Sequence, residues 1–236
     1  RRWTLLRQVL ANAYKKRLIK ENPMDYLDPP SDGPVKERRA LTVVESSLVI
    51  QAAIGTAMEA PIKVLLGTGL RSGELRALKW SDIDREKLAL KVSRTVFEVN
   101  SKYNSGVSIG VGVPKTRRAI RTVEISEALL AELDRHHLEQ QIGAALNPTV
   151  NDDASDLIFP DKNGKLWRMR YFLEDFKKVV SSAKIENPEE ITPHYLRHTH
   201  ASLAIQNGMD LFYLSRRLGH TNISTTANRY SHMYSD

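Results

Sequence analysis

Helix start and stop signals crowd residues 192–232 and leave the backbone little freedom there. Thr192 followed by Pro193 supplies an N-cap and then a ring at the first helical position, where a missing N–H costs nothing, so the order predicts a helix over 194–206. Asp210 caps a second helix and Gly219 ends it, because a residue without Cβ accepts the left-handed conformation that closes a helix. Asn222 or Ser224 starts a last helix that carries Tyr230. These short helices and tight turns carry His194, Arg197, His220 and Tyr230. Two imidazoles, a guanidinium and a phenol form a set suited to phosphoryl transfer.

On the first of these helices His194 and Arg197 lie three apart, share a face and point toward a cleft. Leu196, His200 and Leu203 mark the opposite, core-facing stripe. His198 and His200 therefore read as structural histidines, His198 as a buried ring bonded to backbone, and His232 stays unassigned. His194 and His198 have zinc-ligand spacing, but the glutamate that a metalloprotease places beside the first histidine is missing, and no metal is expected.

Upstream, the pattern at 3–19 predicts a helix with Leu6, Leu10, Ala13 and Tyr14 on one stripe, and the Pro-rich run at 28–34 reads as a linker. A lone helix cannot bury its stripe, and the chain opens on Arg1 rather than Met, so an upstream domain is expected. The division expected is 1–35 for the end of that domain plus linker and 36–236 for the main domain. Thr42-Val-Val-Glu45 is a capping box for a helix to about Thr56, and Pro61 opens the next, which stops at Gly67-Thr-Gly69. Ser72 is the expected cap of a short helix over 73–79, with Arg71 in the connection before it. Residues 87–99 and 119–125 read as strands, and 100–113 as a long loop or an irregular extra strand. Helices are expected over 127–145 and 169–183. The fold class is α+β, predominantly helical, with a small antiparallel β-sheet of about three strands.

Across 236 residues there is no cysteine, so disulfides, thiolate catalysis and Cys-ligated metals are excluded. No apolar run approaches the roughly 20 residues that span a bilayer, and no basic then apolar segment reads as a secretory signal. The lack of cysteine is compatible with a reducing cytoplasm. The net charge of +7 favours a polyanionic partner, and the basic residues cluster: Lys115, Arg117, Arg118 and Arg121 in one segment, Lys15, Lys16, Arg17 and Lys20 in another.

Taken in order, Thr68-Gly-Leu-Arg-Ser-Gly-Glu-Leu75, Pro114-Lys-Thr-Arg-Arg-Ala-Ile-Arg-Thr-Val123, Thr192-Pro-His-Tyr-Leu-Arg-His-Thr199, Leu218-Gly-His220 and Thr225-Thr-Ala-Asn-Arg-Tyr-Ser-His232 resemble the signature of the tyrosine recombinases, the phage integrase family. The resemblance covers residues 36–236, and residues 1–30 resemble the end of that family's core-binding domain with its linker. It implies a site-specific DNA recombinase that cuts and rejoins strands through a 3′-phosphotyrosyl intermediate, with no metal, ATP or other cofactor. Arg71 and Arg197 would bind the phosphate with planar, charged forks, and His220 would donate a further hydrogen bond. Tyr230 would be the nucleophile, His194 its base, Lys115 the acid for the leaving 5′ oxygen, and Glu74 a supporting carboxylate. Lys102, Arg117 and Arg118 would touch DNA backbone.

The partners implied are double-stranded DNA attachment sites, three more copies of the chain in a tetramer on DNA, and host or phage DNA-bending and directionality factors. Tyr230 stands six residues before the chain's last residue, whereas the family exchanges a C-terminal segment between protomers. Common pattern and chain part at Ala119 and Ile120, where Ser and a basic residue are frequent. A type IB topoisomerase uses the same chemistry on one strand and is the alternative. A metal-dependent nuclease would want clustered carboxylates, which no stretch provides, and a binding module that had lost catalysis would lack the tyrosine or an arginine.

Overall fold

A computed structural model describes residues 2–30, 39–100, 107–113, 120–146, 156–220 and 222–230. It divides into two compact units, Arg1–Arg39 and Ala40–Asp236, so the boundary falls four residues beyond the expected one.

The first unit holds helix α1 (Arg2–Lys15) and a 3₁₀ turn at Pro23–Tyr26. The helix stops short of Ile19 because Arg17 turns into the left-handed region at φ 57°. Asn22 caps the turn, its side-chain oxygen accepting from the Met24 N–H at 3.3 Å. No residue of α1 is buried.

The second unit opens with α2 (Val43–Ala53). Its capping box is complete: the Thr42 hydroxyl accepts from the Glu45 N–H at 3.1 Å, and the Glu45 carboxylate accepts from the Thr42 N–H at 2.8 Å. Helix α3 (Glu59–Thr68) carries Pro61 in its first turn and ends at Gly69, φ 67°. The short α4 is Ser72–Leu75, so Arg71 rather than Ser72 is its N-cap residue. Strands β1 (Ile83–Asp84), β2 (Ala89–Val92), β3 (Thr95–Asn100), β4 (Val107–Gly112) and β5 (Arg121–Glu124) follow, then α5 (Glu127–Leu146), α6 (Met169–Ser182), α7 (Pro193–Gln206), α8 (Leu211–Leu218) and α9 (Ser224–Tyr230).

The expected sheet is present as β1-β2-β5, antiparallel, with Leu90 opposite Val123 and Ala89 opposite Glu124. The single strand expected over 87–99 divides into β2 and β3. Between them Arg94 turns its guanidinium onto the buried Asp82, and the chain leaves the first sheet. The irregular stretch expected at 100–113 contains β4, which pairs with β3 as a separate two-stranded ribbon, Phe97 opposite Gly110. Glycine suits that position: a Cβ there would stand 2.8 Å from the Phe97 ring.

The core lies among α2, α3, α5, α6 and α7, where Ile62, Leu65, Leu133, Phe172, Phe176 and Leu196 are fully buried. Each such side chain contributes about 1.5–3 kcal/mol. Buried Arg76 bridges this core to the ribbon, donating to the Trp167 carbonyl at 2.6 Å and to Glu98 at 2.9 Å. A second, smaller apolar cluster of Ala201, Ile205, Leu214, Leu218 and Tyr230 joins α7, α8 and α9. No helix among the described residues is long and apolar enough to cross a membrane.

Candidate active site

Two left-handed glycines shape the site. Gly69 ends α3 and Gly219 ends α8, each at φ 67°, and each turns the chain so that a polar residue follows within two positions: Arg71 after one, His220 after the other. Neither position tolerates a side chain. A Cβ on Gly69 would lie 2.6 Å from the His200 ring, and one on Gly219 would lie 2.9 Å from the Arg121 guanidinium.

Arg71 projects from the start of α4, its side chain 41% exposed. Its N–H donates to one Glu74 oxygen at 2.9 Å and its Nη1 to the other at 2.8 Å, while Nη2 reaches the Gly219 carbonyl at 3.5 Å. The sequence places Arg197 on an open cleft face; in the structure it is 3% exposed. The guanidinium runs inward to the carbonyls left over where two helices end, donating to Gly69 O at 2.7 Å and Leu218 O at 2.6 Å. Burial, and after it the charge of Arg71, pulls its pKa down to about 9, which leaves it charged at neutral pH.

His220 sits between these arginines and α9. Arg197 Nη2 donates to its Nε2 at 3.1 Å, so the ring proton is on Nδ1, which donates to the Thr226 hydroxyl at 2.7 Å. Burial, with Arg197 next, pushes its pKa to about 4, and the ring is neutral. In this state its Nε2 accepts; donating to a phosphate, the role read for it from sequence, requires a proton there.

Tyr230 is 2% exposed, packed in the small apolar cluster. Burial raises its pKa, against the opposing pull of Arg229 and Arg197. Its hydroxyl lies 2.9 Å from His198 Nδ1, and the two rings stack with centroids 5.2 Å apart. His198, read from sequence as a structural histidine bonded to backbone, here meets the hydroxyl of the expected nucleophile. The cause is helix geometry: His194 and His198 lie one turn apart on the same face, and only the docking of α9 decides which ring the phenol meets. His194 is exposed in the first turn of α7. His200 is the buried core histidine expected, donating from Nδ1 to Leu66 O at 2.7 Å and accepting from Arg217 Nε at 3.1 Å. Burial and the Arg217 charge lower its pKa to about 4.

Glu74, expected as a supporting carboxylate, is buried under two guanidinia. Burial alone would raise its pKa; the hydrogen bonds and charge of Arg121, joined by Arg71, override that and bring it to about 2. Arg121 was legible from the sequence only as one member of a basic cluster. Lys102, Lys115, Arg117 and Arg118 lie outside the described residues, as does His232. The structure therefore brings Arg71, Glu74, Arg197, His220 and Tyr230 together and adds Arg121 and His198. Among the described residues, no three His, Cys, Asp or Glu side chains are grouped to hold a metal ion.

Residues 41–236 match the sequence pattern of the phage integrase family. The chain is 34% identical over 194 residues to a XerC-like tyrosine recombinase of Caldanaerobacter subterraneus subsp. tengcongensis, 80% of this chain and 49% of that protein. It is 30% identical over 228 residues to an integrase of Streptomyces ambofaciens, 95% of this chain and 57% of that one. It thus spans about half the length of the curated relatives it matches. Among solved structures, the Tn1549 transposon integrase in complex with a circular intermediate DNA aligns with a TM-score of 0.77 at 26% identity, over 97% of this chain and 72% of that one. XerA recombinase, at 24% identity and a TM-score of 0.63 over 88% of this chain, shares the fold.

Proposed function

The chain belongs to the phage integrase family, and on that premise we propose that it carries the catalytic machinery of a site-specific DNA recombinase. The observation that supports this most directly is the meeting at one turn of Arg71, Arg197 and His220, three groups from distant parts of the chain, with Tyr230 on the next helix. Two guanidinia close together suit a phosphodiester, whose non-bridging oxygens gain negative charge as a fifth oxygen approaches phosphorus.

In the proposed step Tyr230 Oη forms a bond to phosphorus and the bond to the 5′ oxygen breaks, which leaves a 3′-phosphotyrosyl link and a 5′ hydroxyl. The phenol, a poor nucleophile while protonated, gives its proton to an imidazole of α7, for which His194 is the sequence candidate. Lys115 gives a proton to the leaving oxygen. Attack by a 5′ hydroxyl of another strand reverses every transfer, so no ATP is consumed. Arg197 turns part of its fork from His220 to the phosphate, and His220, relieved of that donor and facing an anion, takes up the proton with which it donates to phosphate. Because Tyr230 is buried against His198, α9 must shift before attack.

The substrates proposed are double-stranded attachment sites of a phage or conjugative element, cut and rejoined by four copies of the chain in a bacterial cytoplasm. Host or phage bending and directionality factors would act there too. Lys102, Arg117 and Arg118 would contact backbone phosphates. A topoisomerase of type IB shares the chemistry, but the relatives are named integrases and recombinases.

The test is a nicked suicide duplex bearing an end of the element, incubated in EDTA and resolved on a denaturing gel. Wild type is expected to form a covalent protein–DNA adduct that Tyr230→Phe abolishes. An adduct that survives Tyr230→Phe, or cleavage that needs a divalent metal, would overturn the proposal.

A further inference from the structure

Arg121 stands at the start of β5 with its side chain 6% exposed, and its guanidinium bonds to Glu74 of the candidate site and to the end of α8. Its Nη1 and Nη2 donate to the two Glu74 oxygens at 3.0 and 2.9 Å, a bidentate fork. Its Nε donates to the carbonyl of Arg217 at 2.6 Å, in the last turn of α8. The same guanidinium lies across the Cα of Gly219, the residue before His220.

The charge arrangement gives this geometry a consequence. Around the proposed phosphate site the described residues include four guanidinia, of Arg71, Arg121, Arg197 and Arg229, and one carboxylate, Glu74. Glu74 and Arg121 have side chains 4% and 6% exposed, so water screens their attraction little, whereas Arg71 is 41% exposed. With both Glu74 oxygens already occupied by Arg121, Arg71 shares only one of them through Nη1, and its Nη2 has a single distant carbonyl. A buried carboxylate stays ionised only when paired. Without Arg121, Glu74 would have to draw Arg71 in as its full partner.

We propose, resting on the recombinase reading, that Arg121 is a positioning residue: by neutralising Glu74 it leaves the charge of Arg71 available to DNA phosphate, and by its bond to Arg217 it holds the Gly219–His220 turn beside it. Glu74 then orients Arg71 without cancelling it. The sign of the effect separates this from a merely structural bridge. Losing Arg121 costs phosphate affinity because Glu74 captures Arg71; losing the charge of Glu74 does not, because Arg71 and Arg121 both keep theirs.

The test uses the full chain with Tyr230→Phe, so that binding is read without cleavage, and a mixed-sequence nicked duplex followed by fluorescence anisotropy across a salt series. Each phosphate contact contributes roughly 1 to the slope of log affinity against log salt. Arg71→Ala is expected to lower that slope by about 1. Arg121→Ala is expected to do the same, with Arg71→Ala adding nothing further in its background. Glu74→Gln is expected to leave the slope unchanged or steeper, and to restore it when combined with Arg121→Ala. The Arg121→Ala, Glu74→Gln double variant removes both partners of the pair and is the informative protein if the single variant does not fold. Losses of equal size from Glu74→Gln and Arg121→Ala, a full Arg71→Ala effect in the Arg121→Ala single variant, or no Arg71→Ala effect in the double variant, would overturn the proposal. Failure of the recombinase reading shows separately, as absence of the wild-type adduct.

Discussion

Replacing Gly219 by alanine tests the most constrained point of the structure. The backbone there is left-handed, φ 67°, which costs a residue with Cβ about 1–2 kcal/mol. The new methyl would also stand 2.9 Å from Arg121 Nη1, 3.1 Å from its Cζ and 3.2 Å from its Cδ. A free arginine would swing aside, but this one is pinned by two bonds to Glu74 and one to Arg217 O. Giving up one bond of a charged donor adds about 1.5–3 kcal/mol. The expected loss for Gly219→Ala is therefore about 2.5–5 kcal/mol. Urea unfolding of wild type, Gly219→Ala, Arg121→Ala and the double variant measures it. In the Arg121→Ala background only the backbone part should remain, about 1–2 kcal/mol. Equal costs in the two backgrounds would show that the guanidinium is not held over the glycine, and the reasoning about this turn would be wrong.

Three further outcomes are expected. Glu74, at about 2 against an ordinary 4.5, is a carboxylate with a depressed folded pKa. Its contribution of about 3 kcal/mol is present above pH 4.5 and lost as pH falls toward 2, so Glu74→Gln should flatten the stability profile in that window, measured by unfolding at fixed pH steps. His198→Ala should cost more in wild type than in the Tyr230→Phe background, by about 1 kcal/mol for the lost hydrogen bond, ring stacking being common to both; an additive cycle in thermal unfolding would deny the bond. Arg76→Met leaves the Trp167 carbonyl without its guanidinium donor and Glu98 with only the Met169 N–H, and should cost about 1–3 kcal/mol, with partial recovery on adding Glu98→Gln; a neutral single variant would refute that bridge.

What could be read from residue order was whatever backbone chemistry settles locally. Thr42 with Glu45, Pro61, Thr192 with Pro193, Asp210 and the glycines at 69 and 219 mark helix ends through caps and left-handed turns, and each sits at the end it announced. Resemblance of the motifs to a known family singled out Arg71, Glu74, Arg197, His220 and Tyr230 as candidates, and the fold gathers these five. The β3–β4 ribbon was harder, since two glycines in β4 weaken its strand pattern while Phe97 lies over both.

Tertiary structure decided which polar groups meet. Arg197 and His194 share a helix face in sequence, yet Arg197 is buried because the unpaired carbonyls of Gly69 and Leu218 draw its fork inward, and His194 is exposed. His198 and His194 differ by one turn, a distance that sequence periodicity treats as equivalent and a 2.9 Å hydrogen bond does not. Arg121 looked like one basic residue in a basic run until the fold set it against Glu74, 47 residues away. Caps and turns depend on neighbours along the chain; hydrogen bonds and ion pairs are short-ranged and directional, so their partners are settled only when distant segments pack.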